Sequence, residues 1–409
     1  MKCRHCGTEI SFTLIDLGTA PPSNAYLTQD GLHAPEKWFP LRVLVCENCW
    51  LVQTQDFAQA NELFDADYAY FSSFSSSWLT HAERYVAKMS SELRLGESSH
   101  VVEVAANDGY LLQYVKDRGI PCTGIEPTSS TAAAARAKGI SIIEDFFGSR
   151  LAKELVARGM AADLTAANNV LAHVPDINDF VRGFAVLLKP DGVATFEFPH
   201  LLNLIGENQF DTIYHEHFSY LSLLAVQRIF AQNGLAVFDV EEHSTHGGSL
   251  RVFAQRSDSG VRPRTSDVDA MLARELTAGM ASLEYYAQLQ RNAEDIKYDF
   301  LDFLLTAKRE GHAVGGYGAA AKGNTLMNFA GVRSDLLSYV VDRNPAKQGK
   351  YLPGSRIPIV DENHLRLHKP RYLVILPWNI RAEVMEQMAY TASWGCRFVT
   401  AVPSLEIQP

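Results

Sequence analysis

The stretch Val101-Val-Glu-Val-Ala-Ala-Asn-Asp-Gly109 decides the fold of the middle of the chain, because an apolar strand pattern runs directly into a loop of small and polar residues. A helical pattern follows over Tyr110 to Arg118, and a second strand pattern, Cys122 to Ile125, ends at Glu126. Strand and helix patterns continue to alternate as far as Phe196. This alternation predicts a parallel sheet with right-handed helical crossovers.

A second, smaller α/β pattern occupies the C-terminal part. Ser266 opens a helical pattern that runs to about Lys308, with Asp269 completing a partial capping box. Strand patterns follow at residues 312–317, 337–341, 372–376 and 397–402. They predict a second Rossmann-like domain.

Two cysteine pairs dominate the N-terminal part, Cys3-x-x-Cys6 and Cys46-x-x-Cys49. Four thiolates on two knuckles predict a tetrahedral structural Zn²⁺ site with no open coordination position. The predicted fold class is therefore α/β, with an N-terminal zinc-binding domain over residues 1–60, a central Rossmann-like domain over 61–255 and a C-terminal Rossmann-like domain over 256–409.

Composition excludes several classes of protein. The 409 residues carry 37 Lys and Arg against 47 Asp and Glu, a net charge of −10, which argues against a dedicated nucleic-acid binder. No run of about 18 apolar residues suggests a membrane span, and Met1 to Cys6 contain no apolar signal core. We expect a soluble cytoplasmic protein without a nucleic-acid or membrane partner.

Polar residues at the ends of the central strands predict a nucleoside site. Glu126 can accept hydrogen bonds from ribose hydroxyls, Asp145 can meet an adenine amino group, and Phe146 can stack on the ring. Asn169 follows the fourth strand. Because the loop after the first strand lacks the GxGxxG spacing, S-adenosylmethionine is favoured over NAD.

Titratable residues are concentrated in Tyr214-His-Glu-His-Phe218. If this segment is extended, Tyr214 and Glu216 share one side, with His215 and His217 on the other. Histidine suits a general base near neutral pH. A metal site and a purely structural histidine pair are the alternatives.

Two glycine-containing loops could bind phosphate. His246, Gly247, Gly248 and Ser249 can expose backbone amides, although a hairpin turn explains them equally well. The loop Gly315-Gly-Tyr-Gly-Ala-Ala-Ala-Lys-Gly-Asn324 enters a helix, where Lys322 and amide groups suit an anion. Helix packing alone is the other explanation for this loop.

These motifs together resemble the three-domain nucleotide-sugar C-methyltransferases of bacterial deoxysugar biosynthesis. The resemblance covers nearly the whole chain and includes ExAANDGYLL, GIEP, NNVLAHV, YHEHFSYLS, HGGSLR and YGAAAKGNT. It implies a zinc-binding first domain, a central domain that binds S-adenosylmethionine, and a last domain that helps to hold the sugar nucleotide. It also implies methylation at carbon 3 of a dTDP-linked 4-keto-deoxysugar, for antibiotic deoxysugars.

The resemblance assigns roles to residues as well. It makes His217 the base, with Tyr214, Glu216 and one of Tyr68 or Tyr70 beside it. The cofactor-binding residues that we expect are Glu103, Asn107, Gly109, Glu126, Asp145, Phe146 and Asn169. The substrate-binding residues that we expect are His246, Gly247, Gly248, Ser249, Lys322 and Asn324. Ala105 departs from the family pattern, which commonly has glycine there, and we expect little cost if only backbone meets the ligand.

The sequence thus predicts a sugar C-methyltransferase. An O- or N-methyltransferase on a similar sugar and a non-catalytic sugar-nucleotide binding module are the alternatives. The particular deoxysugar and the oligomeric state are left open, a monomer being one option.

Overall fold

The computed structural model describes residues 1–57 and 71–409 and arranges them in three sheets with helices packed around them. The predicted α/β class is confirmed. Tyr68 and Tyr70 lie outside the described residues, so their proposed role stays a prediction.

The N-terminal sheet takes its fourth strand from the middle of the chain. Its strands are β1 (Phe12–Ala20), β2 (Phe39–Val45), β3 (Val52–Thr54) and β9 (Ser219–Tyr220). All pairs are antiparallel, in the order β1-β2-β3-β9. The sheet therefore joins β2 and β3, which flank the Cys46–Cys49 knuckle, to the strand that directly follows Tyr214–Phe218.

The central sheet has seven strands. They are β4 (Val101–Val104), β5 (Cys122–Ile125), β6 (Ser141–Ile143), β7 (Ala162–Asn168), β8 (Leu188–Pro199), β10 (Leu235–His243) and β11 (Ser249–Arg256). The order is β10-β11-β8-β7-β4-β5-β6, and only the pairs that involve β11 are antiparallel. The strand order reverses between β4 and β7, which is where a sheet of this kind opens a crevice for a ligand.

Seven α-helices of the described residues accompany this sheet. They are α1 (Ser76–Glu92), α2 (Leu112–Lys116), α3 (Ser129–Ala137), α4 (Ser149–Ala157), α5 (Ile177–Leu187), α6 (Leu201–Gly206) and α7 (Leu223–Gln232).

The prediction of a single long helix from Ser266 to about Lys308 is wrong, because the segment forms three helices. These are α8 (Ser266–Ala278), α9 (Leu283–Tyr286) and α10 (Leu289–Arg309). Gly279 adopts φ 95° and ends α8 in the left-handed conformation, which glycine reaches without strain. The capping box is absent too, since Asp269 pairs with Arg264 instead. No helix among residues 1–57 and 71–409 is long and apolar enough to cross a bilayer.

The C-terminal sheet is parallel except at one edge. Its strands are β12 (Val314–Tyr317), β13 (Val340–Val341), β14 (Ile359–Val360), β15 (Tyr372–Ile375), β16 (Arg397–Thr400) and β17 (Glu406–Gln408). They run in the order β14-β13-β12-β15-β16-β17, and β17 is antiparallel to β16. The accompanying helices are α11 (Ala321–Ala330), α12 (Glu362–His368) and α13 (Arg381–Gln387). This doubly wound order matches the predicted second Rossmann-like unit.

The N-terminal sheet packs against both larger sheets. Leu44 joins Cys46 and Cys49 in the apolar core of the central region, whereas Val43 and Val45 join a core that reaches Val374 of β15. Alternate residues of β2 point to opposite faces, so one strand serves both cores. The three units therefore hold one another in place through shared packing.

Candidate functional site

The four knuckle cysteines converge on one point. Their Sγ atoms all lie within 4.8 Å of one another, with 3.5 Å between Cys3 and Cys49 and 3.5 Å between Cys6 and Cys46. Zn–S bonds of about 2.3 Å in a tetrahedron place sulfur atoms about 3.8 Å apart, so the set fits Zn²⁺ closely. The side-chain amide of Gln53 donates to Cys3 Sγ at 3.2 Å, which supports a thiolate there. The predicted zinc cofactor is confirmed.

A cavity of about 350 Å³ lies at the carboxyl ends of the central strands, beside the reversal between β4 and β7. All three units contribute to its wall. Among the predicted residues, those that line it are Asn107, Glu126, Asp145, Phe146, Asn169, Tyr214, His217, His246 and Lys322. The structure thus brings together strand ends, the Tyr214–Phe218 segment and both glycine-containing loops.

The loop after β4 is held in a strained conformation. Ala105 has φ 59° and Asn107 has φ 49°, both in the left-handed region. A side chain costs about 1–2 kcal/mol there, so Ala105 in place of glycine is more costly than the sequence suggested. Asn107 Oδ1 accepts from the amide of Ser72 at 3.0 Å, which ties the loop to the start of the segment before α1.

Two predicted residues of this region lie outside the cavity wall. Glu103 is fully buried within β4, and its burial raises the pKa of the carboxyl well above the usual range. Gly109 has φ 76°, and a Cβ on it would lie 2.4 Å from Ile140 Cδ1. Gly109 therefore serves close packing rather than ligand contact.

Glu126 presents a carboxylate that backbone amides already hold in place. Its Oε2 accepts from Asn107 N and its Oε1 from Thr128 N, both at 2.9 Å. Burial raises its pKa, although these amide bonds oppose the shift. Each oxygen retains capacity for a further donor, which suits a pair of hydroxyl groups.

The end of β6 contributes an exposed aromatic ring. Phe146 is 56% exposed although it lines the cavity, which is unusual for phenylalanine and leaves its face available for stacking. Asp145 Oδ2 accepts from Arg150 at 2.6 Å, and its Oδ1 accepts from Phe146 N at 2.8 Å. The carboxylate of Asp145 thereby fixes the backbone that carries the ring.

The Tyr214–Phe218 segment forms a turn, so the arrangement conditional on an extended segment does not apply. The amide of His217 donates to Tyr214 O at 3.0 Å, and the two rings lie 4.0 Å apart between centroids. His215 instead places Nε2 3.2 Å from Pro40 O, away from the cavity. The turn therefore pairs Tyr214 with His217 and separates the two histidines.

Glu216 also turns away from the cavity. Its Oε1 accepts from Asn24 N at 3.2 Å and from Asn24 Nδ2 at 3.1 Å. Glu216 is fully buried, and this burial raises its pKa. The carboxylate fastens the N-terminal loop that carries Asn24 to the turn that carries His217.

His217 is oriented by a backbone carbonyl. Its Nδ1 lies 3.0 Å from Thr212 O, so Nδ1 is the protonated nitrogen and Nε2 keeps a lone pair. Burial lowers the pKa of His217 well below its usual range, and the nearby His173 imidazole adds to the shift. The neutral form is thus favoured, which a proton acceptor needs.

His173 is a cavity residue that sequence reasoning missed as a site residue. Its ring lies 4.6 Å from that of His217, and its Nδ1 lies 2.8 Å from Glu216 O. Burial lowers its pKa to about 4. The signal in the sequence is its place five residues after the end of β7, within the stretch NNVLAHV that also carries Asn168 and Asn169.

Trp78 was missed for a different reason. It lies on α1 and lines the cavity, with its ring 5.1 Å from His246 and 5.7 Å from Tyr110. An apolar residue on an amphipathic helix carries no sequence signal that separates it from the core.

The two glycine-containing loops reach the cavity only in part. His246 meets Asn169, whose Nδ2 lies 3.0 Å from His246 Nε2. Lys322 lies at the start of α11, where its Nζ donates to Asn379 Oδ1 at 2.7 Å. The remaining predicted members do not line the wall, and they are Gly247, Gly248, Ser249 and Asn324.

These four residues have structural contacts instead. Ser249 Oγ donates to Thr245 O at 3.0 Å, and Asn324 Nδ2 donates to Ser23 O at 2.6 Å. A Cβ on Gly247 would lie 2.5 Å from the Trp378 ring, and one on Gly248 would lie 2.2 Å from Asn203 Nδ2. Both glycines allow the loop to pack closely against its neighbours.

Two of the solved structures that are similar to part of this chain are methyltransferases. One is the magnesium protoporphyrin IX methyltransferase of Synechocystis with bound SAH, at 17% identity and a TM-score of 0.36, covering 44% of this chain and 83% of that one. Another is an S-adenosylmethionine-dependent methyltransferase of Clostridium acetobutylicum, at 11% identity and a TM-score of 0.36, covering 44% and 92%.

Family models and one curated relative cover much more of the chain. A zinc binding domain matches residues 3–64, a methyltransferase domain 78–240, and a C-methyltransferase C-terminal domain 244–403. The C-methyltransferase NovU of Streptomyces niveus is 33% identical over 404 residues, which span 98% of this chain and 95% of NovU.

Proposed function

This chain belongs to the C-methyltransferase family of NovU, and we propose that it methylates carbon 3 of a dTDP-linked 4-keto-deoxysugar through an enolate. It is a methyltransferase that uses S-adenosylmethionine and structural zinc. The observation that carries the proposal is the pairing of His217 with Tyr214 in a cavity that also receives the carboxyl ends of the central strands.

The residues around the strand ends fit S-adenosylmethionine. Glu126 offers oriented oxygens for ribose hydroxyls, and Phe146 offers an exposed ring for adenine. Asn107 and Asn169 add polar groups to the same wall. When bound, this cofactor supplies an electrophilic methyl group on a sulfonium.

The turn residues suit proton removal from a carbon beside a ketone. His217 holds a proton on Nδ1 and a lone pair on Nε2, so Nε2 can accept the proton from carbon 3. The Tyr214 ring lies against the imidazole, and its hydroxyl is suited to stabilise the oxyanion of the enolate. Glu216 enters the proposal as a positioning residue, because its carboxylate bonds to Asn24.

Lys322 supports the assignment of a sugar nucleotide. It is a half-buried lysine in the first turn of the ten-residue helix α11, and it lines the cavity from the C-terminal unit. Helix N-terminal amides and a cation favour a diphosphate. His246 also lines the cavity, from the loop before β11.

A reducing compartment fits the cysteines. None of the six cysteines forms a disulfide, and four of them form the zinc set. Thiols of this kind persist in the cytoplasm, and we propose that the enzyme works there.

Replacement of the base gives the most direct test. We expect His217→Asn to slow solvent deuterium uptake at carbon 3 by about 10²–10⁴-fold, because a positioned base contributes that much. The assay uses a panel of dTDP-4-keto-deoxysugars without the methyl donor, and product NMR after donor addition identifies the methylated atom. Calorimetry should find unchanged affinity for S-adenosylmethionine.

His215→Asn is the matched control, since His215 contacts Pro40 O and does not line the cavity. It should exchange at close to the wild-type rate. Wild-type exchange in His217→Asn would reject the base, and a methyl group on oxygen or nitrogen would reject C-methylation.

The acid limb of the pH profile offers a second test. Because burial lowers the pKa of His217, the exchange rate should stay level as the pH falls through about 6.5, where an exposed histidine gains its proton. A half-loss of rate near pH 6.5 would contradict the buried, neutral base.

A further inference from the structure

The backbone that carries His217 is fastened by the zinc-binding unit. Thr54, the last residue of β3, donates its Oγ1 to His217 O at 2.5 Å and its amide to Phe218 O at 3.1 Å. The strand pairing continues with Gln53 opposite Ser219 and Val52 opposite Tyr220. Residues 219–220 therefore form β9, the edge strand of the N-terminal sheet, and residues 217–218 directly precede it.

The opposite side of the same segment is tied to the central unit. Phe218 N donates to Ala172 O at 2.8 Å, and Glu216 O lies 2.8 Å from His173 Nδ1. The imidazole of His217 is thus set by three anchors, which are Thr212 O at its ring, Ala172 on one side of its backbone and Thr54 on the other.

A short chain of hydrogen bonds links Thr54 to the zinc ligand Cys3. The side chain of Gln53 donates from Nε2 to Cys3 Sγ at 3.2 Å and accepts from Arg4 N at 2.9 Å through Oε1. Arg4 Nη2 in turn donates to Thr54 O at 3.0 Å. Gln53 is 0% exposed and Thr54 is 3% exposed, so solvent does not compete for these bonds.

We propose that Thr54 is a positioning residue for proton removal, and that the zinc-binding unit acts on the reaction through it. The inference rests on the proposed role of His217. Removal of the hydroxyl leaves a buried carbonyl with one donor fewer next to the imidazole. A displacement of about 1 Å of a reacting group can cost about 10²-fold in rate, so even slight movement of this backbone is measurable.

Thr54→Val and Thr54→Ser form the test pair, because valine keeps the shape and serine keeps the hydroxyl. We expect Thr54→Val to lower kcat and the carbon-3 exchange rate by about 10- to 100-fold. KM for the sugar nucleotide and the affinity for S-adenosylmethionine should stay within about twofold of wild type. Thr54→Ser should restore the rate, and both variants should retain one zinc per chain by metal analysis.

Gln53→Met supplies a second variant that does not touch the His217 carbonyl. It removes the amide that bridges Cys3 to the strand, and we expect a smaller fall in exchange rate in the same direction with zinc retained. Equal rates in Thr54→Val and wild type, or equal losses in the valine and serine variants, would overturn the inference.

The two proposals fail in different ways. Wild-type exchange in His217→Asn would remove the base itself and this inference with it. Impaired exchange in His217→Asn together with wild-type exchange in Thr54→Val would leave the base in place and reject only the positioning role of Thr54.

Discussion

The central and C-terminal sheets place a carboxylate at the same point and hold it in the same way. Glu126 follows β5 and accepts amides from Asn107, in the loop after β4, and from Thr128, two residues ahead. Asp342 follows β13 and accepts amides from Ala319, in the loop after β12, at 2.7 Å and from Asn344 at 2.8 Å. Each acid thus ties the first loop of its sheet to its own strand end.

The surroundings of the two carboxylates differ. Glu126 lines the cavity, whereas Asp342 lies 4.0 Å from the ammonium group of Lys347 and is not part of the cavity wall. In the C-terminal sheet, a Cβ on Gly318 would lie 2.5 Å from Pro377 Cδ, so Pro377, two residues after the end of β15, fills the crevice at the strand reversal. The two sheets share this topology, but the site is open only in the central sheet, where the loop after β7 leaves room for a ligand; in the C-terminal sheet the loop after β15 does not.

The largest difference that we expect is in the affinity for S-adenosylmethionine, between a variant at Glu126 and one at Asp342. Glu126→Gln should weaken binding of S-adenosylmethionine by about 1.5–3 kcal/mol, the contribution typical of hydrogen bonds to a charged group. Asp342→Asn is the matched variant and should leave this affinity unchanged, because its carboxylate does not line the cavity. Isothermal titration calorimetry measures both, and equal losses would show that the comparison between the two acids is wrong.

The same acid predicts a pH dependence of binding. Burial raises the pKa of Glu126, so its carboxylate gains a proton at a higher pH than an exposed glutamate does. Affinity for S-adenosylmethionine should accordingly begin to fall while exposed carboxylates, with pKa values of about 4.3, are still ionised. Glu126→Gln should lack this component of the pH profile.

The features that the sequence predicted correctly are those set by short segments, and the site features that it did not predict are set by contacts between distant segments. The cysteine knuckles, β4 and β5 could be predicted because spacing and periodicity are properties of short segments. The break at Gly279 was missed since helical periodicity continues on both sides of it. The turn at Tyr214–His217 could not be inferred, because its geometry is fixed by β3 and by Ala172, which are distant in sequence.

The C-terminal loop tests whether Pro377 really closes its crevice. Gly318→Ala adds a methyl group against the ring of Pro377 at a residue with φ 85°. Gly349→Ala is matched in backbone conformation, with φ 78°, but meets no atom within 4 Å. We expect Gly318→Ala to lower the free energy of unfolding by about 2 kcal/mol more than Gly349→Ala, the typical cost of overpacking.

Chemical denaturation of the two variants measures that difference. Equal destabilisation would mean that the backbone conformation accounts for the whole cost and that the crevice has room. Catalysis by Gly349→Ala should be unaffected, because Gly349 does not line the cavity.

The smallest expected effect is a change in stability when the backbone strain at Ala105, in the loop after β4, is relieved. Ala105 has φ 59°, so Ala105→Gly relieves a left-handed side chain, a gain of about 1–2 kcal/mol. Glycine also increases the entropy of the unfolded chain, which offsets about 0.4–1 kcal/mol. The net result should be a protein that is more stable by up to about 1.6 kcal/mol. Its affinity for S-adenosylmethionine should be unchanged if backbone alone meets the cofactor. Ala106→Gly, at a fully buried neighbour without positive φ, should instead lower stability, and a loss of stability in both variants would show that Ala105 carries no strain.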